Sequence, residues 1–357
     1  GDMAVAFSLA NAVGPLPLLI GGWITDRFGP RSVMMAGGIL SGLGYWITGS
    51  AQSFTAVLVG YGLFFGIGLG LVYGCTVSNT LKFFPDHRGF AGGLTTAAYG
   101  LSSAVIAPLA AHFIGTLGVA DTLRSLGVAI GCVAVIGGLF SVRCPADFIP
   151  EGWTPTKSRF SQGLDADWHQ MLKTPVFWSM WALLLCGAIT GMMILSHAQS
   201  IGMNVMGLSA ATAATGVAFL AFSNTSGRLL AGVLSDYLGR TRTLALALTS
   251  SVAGLTALAS ASADTVPLFY AGLAAVGLSL GAFMGVYPGF TTQEFGSRHN
   301  SVNFALMFMG FSLAGTVGPI LMNQLQTAGF SIACGAAAVI AAAGFLFIGL
   351  YRKQKLN

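Results

Sequence analysis

Arg228 lies inside an apolar run that extends from Val217 to Asp236, and its side chain is the most expensive in the chain to place. A guanidinium carried into hydrocarbon costs from about 3 kcal/mol on insertion scales to more than about 10 kcal/mol in simulations. The group is suited to holding a carboxylate through paired, charge-assisted hydrogen bonds. The eleven acids are Asp2, Asp26, Asp86, Asp121, Asp147, Glu151, Asp165, Asp167, Asp236, Asp264 and Glu294, and all fall in loops or at expected helix ends. No acid in the sequence is expected at the depth of Arg228, so the anticipated partner is an anion supplied by a substrate. The alternative, in which Arg228 faces water or backbone carbonyls structurally, stays open.

Other side chains fall at comparable depth. Asn224 is one turn before Arg228 on the same helix face and either orients the guanidinium or bonds a neighbouring helix. Tyr73, Tyr99, Tyr287 and Phe311 lie between mid-membrane and the inner third by helix counting. Tyrosines there are off the interfacial belt they usually occupy. Each either lines a central cavity, with hydroxyls meeting the substrate and rings limiting its size, or packs helix against helix. His197 titrates near neutrality as a residue type. It is expected in the outer part of its helix, about 20 Å along the axis from Arg228 at about 1.5 Å per residue. There it serves either as a gate and proton carrier or as a hydrogen-bonded interfacial residue.

These residues need elements that hold them in a membrane. Charged residues make up 8% of the chain and hydrophobic ones 54%, with 50 glycines. The charged share in soluble domains is about a quarter, so the chain reads as an all-α polytopic membrane protein. Apolar runs of about 20 residues, enough to span a bilayer, recur at 3–25, 32–50, 55–79, 90–114, 122–142, 175–201, 208–235, 242–261, 266–291, 301–325 and 329–351. That makes eleven visible helices. Fourteen of the sixteen Lys and Arg residues fall on alternate loops: Arg27, Arg31, Lys82, Arg88, Arg143, Lys157, Arg159, Lys173, Arg240, Arg242, Arg298, Arg352, Lys353 and Lys355. By the positive-inside rule that side is cytoplasmic, together with the 143–174 linker and the 352–357 tail. The net charge of +5 is thus an orientation signal, not a nucleic-acid surface.

The chain also repeats. Gly22-x-x-x-Asp26-Arg-Phe-Gly29 returns as Gly232-x-x-x-Asp236-Tyr-Leu-Gly239 at an offset of 210, and Phe84 and Pro108 return as Phe295 and Pro319 at an offset of 211. Two parallel halves are expected, 1–142 and 175–351. The first has five helices where the second has six, so a helix ahead of residue 1 is expected to be missing. The loop from Gly22 to Arg31, with Asp26, Arg27 and Gly29, resembles the loop motif of the major facilitator superfamily. Its copy at Gly232 to Arg242, with Asp236 and Arg240, sits where that superfamily repeats it. The resemblance implies that these residues form a gating motif, glycines letting helices approach and aspartates facing helix N-termini and basic side chains.

Within the superfamily the chain is similar to the oxalate:formate antiporter and bacterial monocarboxylate transporter branch. The carrying residues are Asn79-x-x-Lys-Phe-Phe-Pro-Asp-His-Arg-Gly89, Pro175-x-Phe-Trp178 and Asn224-x-x-Gly-Arg228-x-x-x-Gly-x-x-Ser-Asp236. That likeness implies that Arg228 contacts the substrate carboxylate. It also implies that a lysine on the penultimate helix marks oxalate carriers. Aligned on Asn303-Phe304, that position is Phe311, and 301–325 has no lysine, which favours a monocarboxylate such as lactate or pyruvate. The expected function is alternating-access transport with a proton as co-substrate, by a monomer in the plasma membrane. Exchange of oxalate for formate, a carboxylate-sensing receptor and a sugar or drug carrier are the alternatives. No enzyme, cofactor or metal is expected: the five cysteines are scattered, and no nucleophile–base pair or phosphate loop shares a depth.

Overall fold

The computed structural model describes residues 2–145, 148–152 and 165–356; Asp147, Lys157 and Arg159 of the charge pattern lie outside the described residues. Every regular element among the described residues is a helix. In order these are α1 (Asp2–Val13), α2 (Pro15–Phe28), α3 (Pro30–Gly49), α4 (Phe54–Val57), a π-helical segment (Leu58–Phe65), α5 (Gly66–Phe83), α6 (Arg88–Phe140), α7 (Trp168–Leu172), α8 (Pro175–Asn204), α9 (Ala210–Leu238), α10 (Arg240–Ala259), α11 (Val266–Phe295), α12 (Asn300–Leu325) and α13 (Phe330–Leu356). Eight stretches are long and apolar enough to cross a bilayer: Phe54–Phe83, Pro108–Phe140, α8 to α12, and Phe330–Lys355. The other three expected runs are built as α1 with α2, as the 20-residue α3, and as the first part of α6.

Sequence explains the irregularities. Pro15 and Pro17 have no N–H to donate, so the run 2–28 is divided after Gly14. Gly14 still has helical dihedrals, φ −49° and ψ −40°, and Leu18 N donates to Gly14 O at 3.2 Å. The helices expected at 90–114 and 122–142 run together as α6, broken at one residue, Gly118, with φ 81° and ψ 169°. The repeat is visible in the turns. Gly29 (φ 95°, ψ 174°) and Gly239 (φ 85°, ψ 154°) each close one helix and open the next. A side chain disfavours that left-handed backbone. Each glycine is followed by a 20-residue helix, α3 or α10.

The chain divides into two compact units. One comprises Gly1–Asp86, Ser102–Met171 and Thr291–Ser312; the other comprises His87–Leu101, Leu172–Phe290 and Leu313–Asn357. In the first, α5 packs on α2 and α3, and the fully buried side chains include Leu81, Met171, Phe295 and Phe304. In the second, α13 packs on α8 and α10 around Met180, Leu183, Phe269, Phe283, Tyr287 and Phe290. Large apolar side chains such as Phe222, Leu230, Val339 and Leu346 remain exposed. That is the surface a bilayer covers.

Candidate functional site

Arg228 stands ten residues before the C-terminal end of α9, about 15 Å along its axis. Its guanidinium is half-buried. Nε donates to Asn224 Oδ1 at 3.0 Å, and Nη1 donates to Thr96 O of α6 at 2.7 Å. Both acceptors are neutral dipoles, and Asn224 is itself buried. Two helices hold α9 at this level by direct backbone contact. A Cβ on Gly93 of α6 would lie 2.5 Å from Arg228 O, and a Cβ on Gly285 of α11 would overlap the same carbonyl. Close approach of this kind, made possible by small residues, is how membrane helices associate. Arg228 is thereby fixed in depth and rotation.

The remaining candidates fall into separate groups. Tyr99 is half-buried, one turn beyond Thr96 on α6. Tyr287 is fully buried and donates its hydroxyl to Met180 O at 2.7 Å. It points to α8 because α11 turns its Gly277, Gly281 and Gly285 line to α9, and two residues further on the helix faces the opposite way. In the other unit, Tyr73 and Phe311 join one aromatic row. The rings of Tyr73 and Phe308 are 5.2 Å apart, those of Phe308 and Phe311 5.0 Å and stacked. His197 has its partners on α8 and α12: Nδ1 meets Ser196 Oγ and Nε2 meets Asn323 Oδ1, both at 2.8 Å.

The repeated loops form two matching caps, one inside each unit. Asp26 accepts from Ser301 Oγ at 2.7 Å and Val302 N at 3.4 Å, at the N-terminus of α12, and pairs with Lys82 at 2.8 Å. Asp236 accepts from Gly89 N at 2.9 Å and Phe90 N at 2.8 Å, at the N-terminus of α6, and pairs with Arg240 at 2.9 Å. Arg240 also donates to Ser235 Oγ. A carboxylate answers both the free N–H groups and the positive end of a helix. One turn before each aspartate, Gly22 lies against Ser301 and Gly232 against Gly89, with no room for a side chain. Arg27 lies over the rings of Trp23 and Phe28, 5.5 Å from each centroid, and Arg31 is exposed in the first turn of α3.

Some partners have no signal in residue type. Arg143 closes the end of α2, Nη2 donating to Asp26 O at 3.0 Å and Nη1 to Arg27 O at 3.1 Å. Beside it, Cys144 is buried with its thiol toward Lys82 O at 3.4 Å, and burial pushes that thiol up. The connector ahead of α8 also docks: Asp165 Oδ1 accepts from Ser297 N (3.0 Å), Ala166 N donates to Phe295 O (3.1 Å), and Asn303 Nδ2 donates to Ala166 O (2.9 Å). The Gly89, Gly93 and Gly100 spacing on α6 is the one trace in the sequence of the face that meets α9.

A helical membrane protein with duplicated Gly-x-x-x-Asp loops capping helix N-termini, and an arginine inside one span, is a carrier. The chain belongs to the Major Facilitator Superfamily, whose family model matches residues 1–319, and it is a transporter, not an enzyme. It is 27% identical over 328 residues to the oxalate:formate antiporter of Oxalobacter formigenes, covering 90% of this chain and 75% of that one. It is 29% identical over 369 residues to monocarboxylate transporter 11 of Mus musculus, covering 98% and 79%. Its fold matches the fucose:proton symporter of E. coli with a TM-score of 0.75 at 14% identity, over 98% of this chain and 90% of that one.

Proposed function

We propose that the chain is a secondary carrier that moves a small monocarboxylate of the lactate or pyruvate kind across the plasma membrane by alternating access, together with a proton. The observation that carries this is the Arg228 guanidinium, held at mid-helix by an amide oxygen and a backbone carbonyl. A carboxylate arriving at that group exchanges a neutral acceptor for a charged one, and charge-assisted bonds are roughly twice as strong. Asn224 holds Nε and the Thr96 carbonyl holds Nη1, which sets the plane in which the guanidinium meets a carboxylate. Tyr99, one turn beyond Thr96, is assigned to the same substrate site, whereas Tyr287 packs α11 on α8 through its bond to Met180 O. The run 301–325 has no lysine and so offers no second cation, which favours one carboxylate over two. Relatives named as a monocarboxylate transporter and as an oxalate:formate antiporter support an organic anion of this size. Co-transport of a proton would make uptake of a monovalent anion electroneutral. The basic loops support a cytoplasmic C-terminus, and the carrier is assigned as a monomer in which the two capping loops gate the transition.

The test is uptake of radiolabelled lactate into proteoliposomes under an inward proton gradient. Wild type accumulates lactate, and Arg228→Ala loses about 100-fold, the scale on which removing one member of a buried charge pair acts. Unchanged uptake in Arg228→Ala overturns the site. Exchange of oxalate for formate without net lactate uptake replaces the reading with an anion exchanger.

A further inference from the structure

α3 and the arm of α6 beyond Gly118 lie in the same unit and touch backbone to backbone. A Cβ on Gly42 would lie 2.6 Å from Gly127 O, and a Cβ on Gly127 would lie 2.6 Å from Gly42 O. Helices that meet through glycines have no side chains of their own to fill the crease between them. What remains is an open apolar groove of about 410 Å³, floored by Gly42, Gly127 and Gly131. Trp46 of α3 and Val128 of α6 stand at one end and Ile136 of α6 at the other, all three exposed.

The faces that line the groove run on to a charged rim at the Trp46 end. Ser50 follows Trp46 by one turn and Arg124 precedes Val128 by one turn, so both continue the lining faces. Asp121 lies one turn further along the same face of α6. Arg124 Nε donates to Ser50 Oγ at 3.1 Å, and Nη1 donates to Asp121 Oδ1 at 2.9 Å. Nη2 of the guanidinium and Oδ2 of the carboxylate have no partner among the described residues, and Asp121 is exposed. Of the sixteen Lys and Arg residues, Arg124 alone lies on the side away from the basic loops.

Length and charge identify an occupant. Arg124 to Ile136 is twelve residues, about 18 Å at about 1.5 Å per residue. One leaflet of hydrocarbon is about 15 Å, half of a core about 30 Å thick. A charged rim, a tryptophan at the level such rings prefer and an apolar slot one leaflet deep match a single phospholipid. A second copy of the chain would instead need a face crossing both leaflets. The rim then selects the headgroup. A guanidinium takes phosphate oxygens, and a carboxylate accepts from a primary ammonium. Ethanolamine phospholipids carry both groups. A choline headgroup has no N–H to give, and a glycerol headgroup has no cation for Asp121.

We propose that the groove between α3 and α6 binds one phosphatidylethanolamine molecule, with an acyl chain on the glycine floor, the phosphate on Arg124 and the ammonium on Asp121. The site is independent of the substrate and of any proton. It is tested by native mass spectrometry of the full chain in detergent, titrated separately with dioleoyl phosphatidylethanolamine, phosphatidylcholine and phosphatidylglycerol. Gly131→Leu blocks the floor. An added Cβ there makes only ordinary contacts, at 3.7 Å from Gly38 O and Gly42 Cα, so its thermal midpoint should stay that of wild type. The difference between wild type and Gly131→Leu isolates this groove from lipid bound elsewhere. Wild type is expected to hold one ethanolamine lipid there about tenfold more tightly than either of the others, the scale of one hydrogen bond to a charged group. Arg124→Gln should weaken the ethanolamine and choline lipids alike, about tenfold each. Asp121→Asn should lower the ethanolamine lipid to the level of the choline one and leave the choline one unchanged. Both variants change exposed rim residues, so they test the site even where Gly131→Leu fails to fold. Equal binding of the three lipids by wild type overturns the proposal, as does preference for the glycerol lipid. A dimer that Gly131→Leu dissociates also overturns it, by showing that a second copy covers the groove.

Discussion

A guanidinium gripped at Nε by Asn224 and at Nη1 by the Thr96 carbonyl has its plane set before any ligand arrives. Removing the grip at Nε should leave the charge and lose the aim. Asn224→Ala is expected to weaken lactate affinity about tenfold, the cost of one hydrogen bond to a charged group, read as a raised half-saturation concentration in uptake assays. An unchanged half-saturation would show that the bond at Nε does not orient the group. Arg228 and Asn224 were readable as a pair because i and i+4 share a helix face. Thr96 was not, because it contributes a backbone carbonyl, which every residue owns. The bond from Tyr287 to Met180 O and the partnership of His197 with Asn323 were hidden for a related reason. Depth can be counted along a helix, but rotation toward a particular neighbour depends on packing that no single helix encodes.

Helices α6, α9 and α11 meet without side chains between them at Gly93 and Gly285, so these are positions where one methyl group is expected to be felt. Gly285→Ala and Gly93→Ala should each destabilise the protein by about 1–3 kcal/mol, the usual cost of forcing extra volume into a packed contact, measured as a lowered thermal midpoint in detergent. Gly115→Ala, where an added Cβ meets nothing within 4 Å, is the neutral control. The helical runs and the duplicated loops were legible from composition and repeat alone. The single-residue break at Gly118 and the π-helical segment were not. One glycine among 50 carries no mark that it will turn left-handed, and a π turn uses no residue type of its own.

At the scale of the whole chain, the parts sorted by contact are not consecutive in sequence: 87–101 falls with one unit and 291–312 with the other. The repeat is a pattern of residues along the chain and the units are a pattern of packing, which is why an offset of 210 residues was readable and the sorting was not. The same scale brings out the connector, whose residues 165 and 166 are stitched to the turn between α11 and α12 by three hydrogen bonds. Asp165→Ala should release that turn, and hydrogen–deuterium exchange across 295–303 is expected to accelerate several-fold with transport retained. Unaltered exchange would mean that the other two bonds suffice.

The same stitching has an optical consequence. Trp168 follows Asp165 by three residues and lies on the ring of His169, centroids 3.4 Å apart. Any displacement of the turn tugs the connector and disturbs the indole, whose emission depends on what lies against it. Subtracting the spectrum of Trp168→Phe from that of wild type isolates this indole from the other five tryptophans. The protein thus carries an intrinsic, label-free gauge of movement at that corner, one that can be read while substrate is added.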